Sequence, residues 1–395
     1  MTLRGPRRLV WLLLPAVGLL GCWKQTPEPT PPKPRPVAAP AAAPAAAPVN
    51  PVVELASQSF HTCARRQGGD VLCWGKNTYG QLGDGRREDS ARLVKVAGLA
   101  DAAELVAGRD FSCARRRAGS VICWGNNEDG QLGDGRGMKP GALSLRPVKV
   151  AGLRAPQQLT AGEYHACALE QGGSVKCWGN GGNGQIGSDA QRAFGMPLTI
   201  ERLGVVAQIA SGSSHVCALE KVGVVKCWGR NTEGQLGDGK SGSRIKAVTV
   251  LGLEDAVELA SGHRHTCARR SAGSVACWGD NARGQLGPNA GREPKSHVPV
   301  EVPGLSSVVQ LVGGGEHTCA RLQSGRLVCW GGNAAGQLGH KSSITARPTP
   351  TAVRGMSDAV DLALGAAHTC AVRRSGEVAC WGDAEYGALG PYRLI

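Results

Sequence analysis

From Val52 onward the apolar residues fall in short runs separated by glycine-rich polar stretches. In one such stretch Val257-Glu258-Leu259-Ala260-Ser261-Gly262 alternates as a strand and stops at a glycine. His265-Thr266-Cys267-Ala268 opens a second strand, Ser271-Ala272-Gly273 is a turn cluster, and Val275-Ala276-Cys277-Trp278 is a third strand. Val298-Pro299-Val300-Glu301-Val302, ended by Pro303-Gly304-Leu305, is a fourth. Period-two alternation bounded by turn residues marks strands, and no segment keeps a 3.6-residue apolar period long enough for a helix. The pattern recurs. Trp74, Trp124, Trp178, Trp228, Trp278, Trp330 and Trp381 lie 50, 54, 50, 50, 52 and 51 residues apart, each inside Cys-Trp-Gly. Seven units of four strands predict an all-β, seven-bladed β-propeller of four-stranded blades over residues 52–395.

Most units also carry Gly-x-x-His before the first cysteine, and each carries a variant of Asn-x-x-Gly-Gln-Leu-Gly after its tryptophan, as in Asn77 to Gly83. This combined pattern resembles the regulator-of-chromosome-condensation repeat, and the resemblance covers all seven units. Unit two departs from it with Phe111 in place of His. Unit seven departs with Gly387-Ala388-Leu389-Gly390, and only Pro391 to Ile395 follow for its fourth strand, so the sequence leaves ring closure open. The resemblance implies action through protein–protein contacts, as in secreted relatives that inhibit enzymes such as β-lactamases. It also admits guanine-nucleotide exchange on a small GTPase with chromatin binding, as in the eponymous member.

The N-terminal pattern is different. Arg4, Arg7 and Arg8 precede an apolar run from Leu9 to Leu20, which is shorter than the ~20 residues that span a bilayer and reads as an export signal over 1–21. Leu19-Leu20-Gly21-Cys22 resembles the bacterial lipoprotein processing box, which implies cleavage before Cys22 and its acylation. Residues 24–51 hold ten prolines and eight alanines, so the segment 22–51 is expected to be an extended tether. The protein is expected to be exported and lipid-anchored to the cell envelope, at the outer membrane, on a side the sequence does not specify. The export signal, together with the paired cysteines further along the chain, argues against the cytosolic exchange-factor role.

The remaining fourteen cysteines form seven pairs ten residues apart. Cys63 is matched with Cys73, Cys113 with Cys123, Cys167 with Cys177, Cys217 with Cys227, Cys267 with Cys277, Cys319 with Cys329 and Cys370 with Cys380. In a hairpin with its turn at the midpoint, residues ten apart stand opposite one another, within the reach of a disulfide. No Cys-x-x-Cys spacing or added histidine supports zinc. An oxidising compartment favours seven intra-blade disulfides, each stabilising its blade by roughly 2–3 kcal/mol.

Composition sharpens this picture without naming an activity. Of 395 residues 58 are Gly and only 4% are aromatic, unlike a helical bundle. One histidine stands in each of six units (His61, His165, His215, His265, His317, His368), and its replacement by Phe111 in the seventh suits packing. His263 beside His265 is a weak metal candidate. Asp-Gly pairs such as Asp84-Gly85 are turn chemistry. No P-loop, Gly-x-Ser-x-Gly or His-Glu-x-x-His occurs, so a non-enzyme without cofactor or metal is expected.

Chain direction puts the Gly-x-x-His turns and the Asn-x-x-Gly loops on one face of the disc and the cysteine hairpins on the other. The net charge is +14, and the hairpins hold fourteen Lys/Arg against four Asp/Glu. Arg65, Arg66, Arg115, Arg116, Arg117, Arg269, Arg270, Arg373 and Arg374 make this face either a solvated rim or a surface for anionic membrane or polysaccharide. On the opposite face Phe60, Tyr79, Asp110, Glu128, Asp129, Glu163, Tyr164, Arg264, Arg283, Glu316 and Tyr386 occupy variable positions, as drifting loops or as a surface for a protein or glycan. Nucleic acid is not an expected partner, and the protein is expected to be monomeric. An inhibitor or regulator of an envelope or secreted enzyme is the alternative use of the same face.

Overall fold

The computed structural model describes residues 50–188, 193–340 and 343–392. Cys22, the export signal and the tether up to residue 49 lie outside the described residues. Seven antiparallel sheets form the seven-bladed propeller, with strands in chain order within every blade. The first blade consists of β1 (Val52–Ser57), β2 (His61–Arg66), β3 (Val71–Gly75) and β4 (Ser90–Lys95). First strands line a central cavity of about 300 Å³, and fourth strands are the exposed outer edge. In the fifth blade the fourth strand begins at Lys295, three residues before the expected Val298.

In every blade the two cysteines are register partners on the second and third strands. All seven expected disulfides are present. Cys63 bonds to Cys73, Cys113 to Cys123, Cys167 to Cys177, Cys217 to Cys227, Cys267 to Cys277, Cys319 to Cys329 and Cys370 to Cys380, with Cα atoms 4.0–4.1 Å apart. Two recurring glycines are sterically required, the second in every unit but the first, which has Gln58. At Gly75 in Cys-Trp-Gly, φ is +104°, and a Cβ would lie 2.4 Å from the Phe60 carbonyl oxygen. At Gly162 in Gly-x-x-His, a Cβ would lie 2.1 Å from Cε1 of His165.

The core is a set of seven seams between blades rather than one central cluster. Cys63, Cys73 and Leu82 pack with Leu105, Ala114 and Trp124 of the next blade. Each tryptophan Nε1–H reaches back to a backbone carbonyl of the preceding Gly-Gln-Leu-Gly loop. Trp124 donates to Gln81, Trp178 to Gln131, Trp228 to Gln185, Trp278 to Gln235, Trp330 to Gln285 and Trp381 to Gln337, at 2.8–2.9 Å. Burying one indole stabilises its seam by about 4–6 kcal/mol of hydrophobic free energy.

The seventh blade departs from the expected four strands. It has three, Ala359–Leu364, His368–Arg373 and Val378–Gly382. Residues 383–390 are spent on the loop, which includes a 3-10 turn over Glu385–Gly387. The chain therefore regains the third strand only at Tyr392, whose carbonyl accepts the Cys380 N–H at 2.8 Å. The ring nevertheless closes. Trp74 donates to the Ala388 carbonyl at 2.9 Å and meets Tyr392 edge-on, and Leu389 and Ala363 join Val52 and Leu55 in one cluster.

Candidate functional site

The repeated histidines are consumed by the seams. Nε2 of His61, His215, His265, His317 and His368 lies 2.8–3.0 Å from the hydroxyl of Ser112, Thr266, Thr318, Thr369 and Thr62 in the following blade. Four of these hydroxyls, on Ser112, Thr266, Thr318 and Thr369, donate to the carbonyls of Gln81, Gln235, Gln285 and Gln337. A hydroxyl has one proton, so there the imidazole donates from Nε2 and its Nδ1 is bare. Burial pushes His61, His165, His215, His265 and His317 down to about 3 and His368 to about 4. The exceptions follow the neighbour. Phe111 precedes a blade with Ala166 at the hydroxyl position, whereas His165 meets Val216 there and neither of its ring nitrogens has a partner. His263 and His265 diverge. His263 approaches the Gln58 carbonyl at 3.2 Å near the channel mouth, while His265 turns to Thr318. Among the described residues no three His, Cys, Asp or Glu side chains group around a metal position.

The hairpin face is less basic than its own residues indicate. On the inner strands Glu54, Glu104, Gln158, Gln208, Glu258 and Asp361 each accept a backbone N–H of the next inner strand at 2.8–3.1 Å. Gln310 instead donates Nε2–H to Asp361. The second oxygen of Glu54, Glu104 and Glu258 takes Nε of Arg65, Arg115 and Arg269. Arg116, Arg270 and Arg373 pair with Asp101, Asp255 and Asp358 at 2.7–2.8 Å. Arg117 donates to the Gln67 carbonyl, and Arg66 and Arg374 make no ion pair among the described residues. The excess counted between cysteines is thus partly neutralised, because the compensating carboxylates come from first strands and blade entries, outside those intervals.

The loop face is asymmetric. Turn and loop meet in each blade, as where Lys76 N–H donates to the Phe60 carbonyl and Asn126 N–H to that of Asp110. On the first blade Lys76 carries its ammonium 5.7–6.0 Å from the ring centroids of Phe60, Tyr79 and Tyr386, and Phe60 meets Tyr386 edge-on at 5.4 Å. Such contacts contribute about 0.5–2 kcal/mol each, more as the cation is desolvated. Lys76 also pairs with the buried Asp110 at 2.9 Å. Arg109 adjoins Asp110 and Glu163 and stacks at 5.4 Å on Tyr164, to whose hydroxyl it donates. Tyr386 holds φ +55°, a left-handed conformation costly for a bulky residue.

The structure therefore joins Tyr386, Phe60, Tyr79, Asp110, Glu163 and Tyr164 into one crescent from the seventh blade to the third. Glu128 and Asp129 sit on the loop of its second blade. Arg264, Arg283 and Glu316 lie apart on the fifth and sixth blades, the last two as an exposed pair at 3.4 Å. Sequence reasoning missed Lys76, the organising cation. Its signal was a lysine directly after Cys-Trp-Gly, where the other units have Asn126, Asn180, Arg230, Asp280, Gly332 and Asp383, set between aromatic Phe60 and Tyr79.

These features agree with known proteins. A family model for the regulator of chromosome condensation (RCC1) repeat matches residues 52–81, 103–131, 157–185, 206–235, 256–285, 308–337 and 359–388. A second RCC1-repeat model matches six segments from 68 to 372. The chain is 34% identical over 96 residues to the RCC1 domain-containing protein RUG3, mitochondrial, of Arabidopsis thaliana, covering 23% of this chain and 21% of that protein. It is 36% identical over 86 residues to the mouse regulator of chromosome condensation, covering 22% and 20%. The matched region spans about a fifth of the length of these relatives. Yeast RCC1 (Prp20), solved bound to Kap60, superposes with a TM-score of 0.74 at 22% identity, covering 86% of this chain and 83% of that one. Human WBSCR16 does so with 0.74 at 21%, covering 83% and 92%. At these identities the likeness concerns the fold. The repeats matched along the ring, the seams that use their His, Trp and Gly positions, and the shared architecture together show that this chain belongs to the regulator of chromosome condensation (RCC1) repeat family.

Proposed function

We propose that this protein is a non-enzymatic binding scaffold of the bacterial cell envelope. It is exported, anchored through a lipid on Cys22, and presents its ring at the end of the Pro/Ala-rich tether to a protein or glycan. The observation that carries the reading is the crescent on the loop face. Three of the four tyrosines and one of the three phenylalanines gather there on a rigid ring, and clustered aromatics beside Arg are the composition of binding hot spots. The imidazoles are locked in seams, and seven buried disulfides suit an oxidising compartment. Yeast RCC1 (Prp20), whose solved complex contains Kap60, lends general support to a ring of this type that works by contact.

Capture of envelope proteins or glycans by the lipidated chain tests the reading, with Phe60→Ala, Tyr164→Ala and Tyr386→Ala as controls. A specific component retained by the wild type and released by these variants supports it. Retention unchanged in all three places the function elsewhere on the ring. The same rigid crescent favours a second reading, inhibition or regulation of an envelope or secreted enzyme. Arg66, Arg117 and Arg374, like Arg321 and Arg326 of the sixth hairpin, have no carboxylate partner among the described residues, and the first three are left for an anionic surface. Charge reversal at these three, read by vesicle binding, tests that contact.

A further inference from the structure

The crescent also differs from the rest of its face in charge. In the Gly-x-x-His turns and the first four loop residues of the seventh, first, second and third blades, six carboxylates face two cations, Lys76 and Arg109. In the same positions of the fourth, fifth and sixth blades, three carboxylates face three cations and no aromatic residue occurs. The two crescent cations are already spent. Asp110 takes Lys76 at 2.9 Å, and Arg109 lies between Asp110 and Glu163. The carboxylates left over flank the aromatic rings: Glu385 beside Tyr386, and Asp129 near Tyr164. Both tyrosine hydroxyls are held above their ordinary range, with Glu385 the leading cause at Tyr386 and burial at Tyr164, where Glu163, Asp110 and Asp129 add to it.

The rings moreover already accept an ammonium, that of Lys76. On a ring whose protein carries +14, this is an acidic, aromatic exception. A carboxylate beside the exposed Tyr386 ring suits a side chain with an aliphatic stem and a cationic head, which covers the ring and ends at the acid. We infer that the crescent is a docking site for a cationic protein segment, one that presents Lys or Arg side chains to Tyr386, Phe60 and Glu385. This rests on the scaffold reading above and adds the chemistry of the partner.

The full chain would be titrated with three 12-residue model peptides, alternating Gly with Lys, Glu or Ser, at low and at moderate salt. The Lys peptide is expected to bind at least tenfold more tightly than the Glu or Ser peptide and to weaken with salt. Glu385→Gln and Tyr386→Ala should each reduce its affinity several-fold, while Glu301→Gln on an exposed outer strand should leave it unchanged. Circular dichroism of each variant confirms that the ring is intact. Preference for the Glu peptide, binding of none, or equal loss in Glu301→Gln overturns the inference. The scaffold reading fails separately, when envelope capture ignores the crescent variants. Binding of the Glu peptide that Tyr386→Ala abolishes would refute the cationic partner while leaving the crescent as the binding site.

Discussion

Val216→Thr is expected to stabilise the protein, although it places a polar atom in a fully buried position. In five seams a histidine Nε2 meets a hydroxyl of the next blade, and in four of them that hydroxyl continues to a Gln carbonyl. His165 has the carbonyl of Gln185 waiting, already holding Trp228 Nε1–H, but Val216 supplies no hydroxyl and both ring nitrogens are orphaned. Threonine has the shape of valine, so its hydroxyl enters without a cavity. Satisfying a buried donor recovers about 1–3 kcal/mol, and exchanging a methyl for a hydroxyl bonded on both sides costs less than that. The net gain should be about 1 kcal/mol. Urea unfolding of Val216→Thr, His165→Phe and the double variant gives the coupling. Phenylalanine needs no acceptor, as Phe111 before Ala166 demonstrates, so the threonine gain should vanish in the His165→Phe background. A loss of 1 kcal/mol or more in Val216→Thr, with no coupling to residue 165, would refute the seam argument.

The same imidazoles set an acid limit. Each is neutral in the fold, with pKa about 3–4 against 6.5 for an ordinary histidine, so below pH 6.5 the unfolded chain binds protons the fold excludes. Stability is complete above pH 6.5 and falls toward pH 4, by about 2 kcal/mol per histidine at pH 5. Denaturant midpoints against pH should show this fall, shallower by one proton in His165→Phe. Asp361 works in the opposite direction. Burial raises it to about 6, so its contribution improves as pH drops from 6 toward 3.8, and the measured slope is the difference. Glu104→Gln should cost about 1–2 kcal/mol, because its one oxygen can keep Arg115, as Gln310 keeps Arg321, but its amide N–H then faces the Leu159 N–H, whereas Gln310 turns that group to Asp361. Glu104→Leu, which strands Arg115 and the Leu159 N–H, should cost about 3 kcal/mol or more in the same assay. Native protein should resist thiol reductants until denatured, since every bridging cysteine is at most 1% exposed. Mass after alkylation reads the outcome.

The repeat was legible because its chemistry is backbone-driven. A glycine at φ +104° and a tryptophan whose Nε1–H seeks a carbonyl recur in all seven blades, and cysteines ten apart stand opposite in any symmetric hairpin. The pairing of side chains across neighbouring strands was not legible. Arg65 read as surface charge because Glu54, its partner, lies on another strand, and Leu169 and Leu219 take the arginine position where Gln158 and Gln208 replace glutamate. That matching is visible only once strand register is known. The crescent escaped for a similar reason. Tyr386 and Phe60 are 326 positions apart in sequence, at the two ends of the ring, and meet only because the ring closes.

That closure bears on how the crescent works. The seventh seam reproduces the other six with different residues. Ala388 stands where six loops have Gln, yet Trp74 needs only its carbonyl. His368 finds Thr62, and Asp361 reaches the Leu55 N–H as the longer acids do elsewhere. Because the recurring contact is made by main-chain groups, the last loop can carry different side chains, Tyr386 among them, without opening the ring. Tyr386 belongs to the seventh blade, whereas Phe60, Tyr79 and Lys76 belong to the first, so a rigid seam is the condition for the three rings to enclose one ammonium. Weakening the seam should therefore disturb binding as well as stability. Thr62→Val combined with Ser57→Ala removes both hydroxyls that face His368 Nε2, at 2.9 and 3.1 Å, without touching the loop face. It should loosen the joint and lower affinity for a crescent ligand, and the equivalent Thr318→Val in a remote seam should cost similar stability and leave affinity intact. Equal affinities in the two variants would show that the crescent is held by its own loop and not by the closing seam.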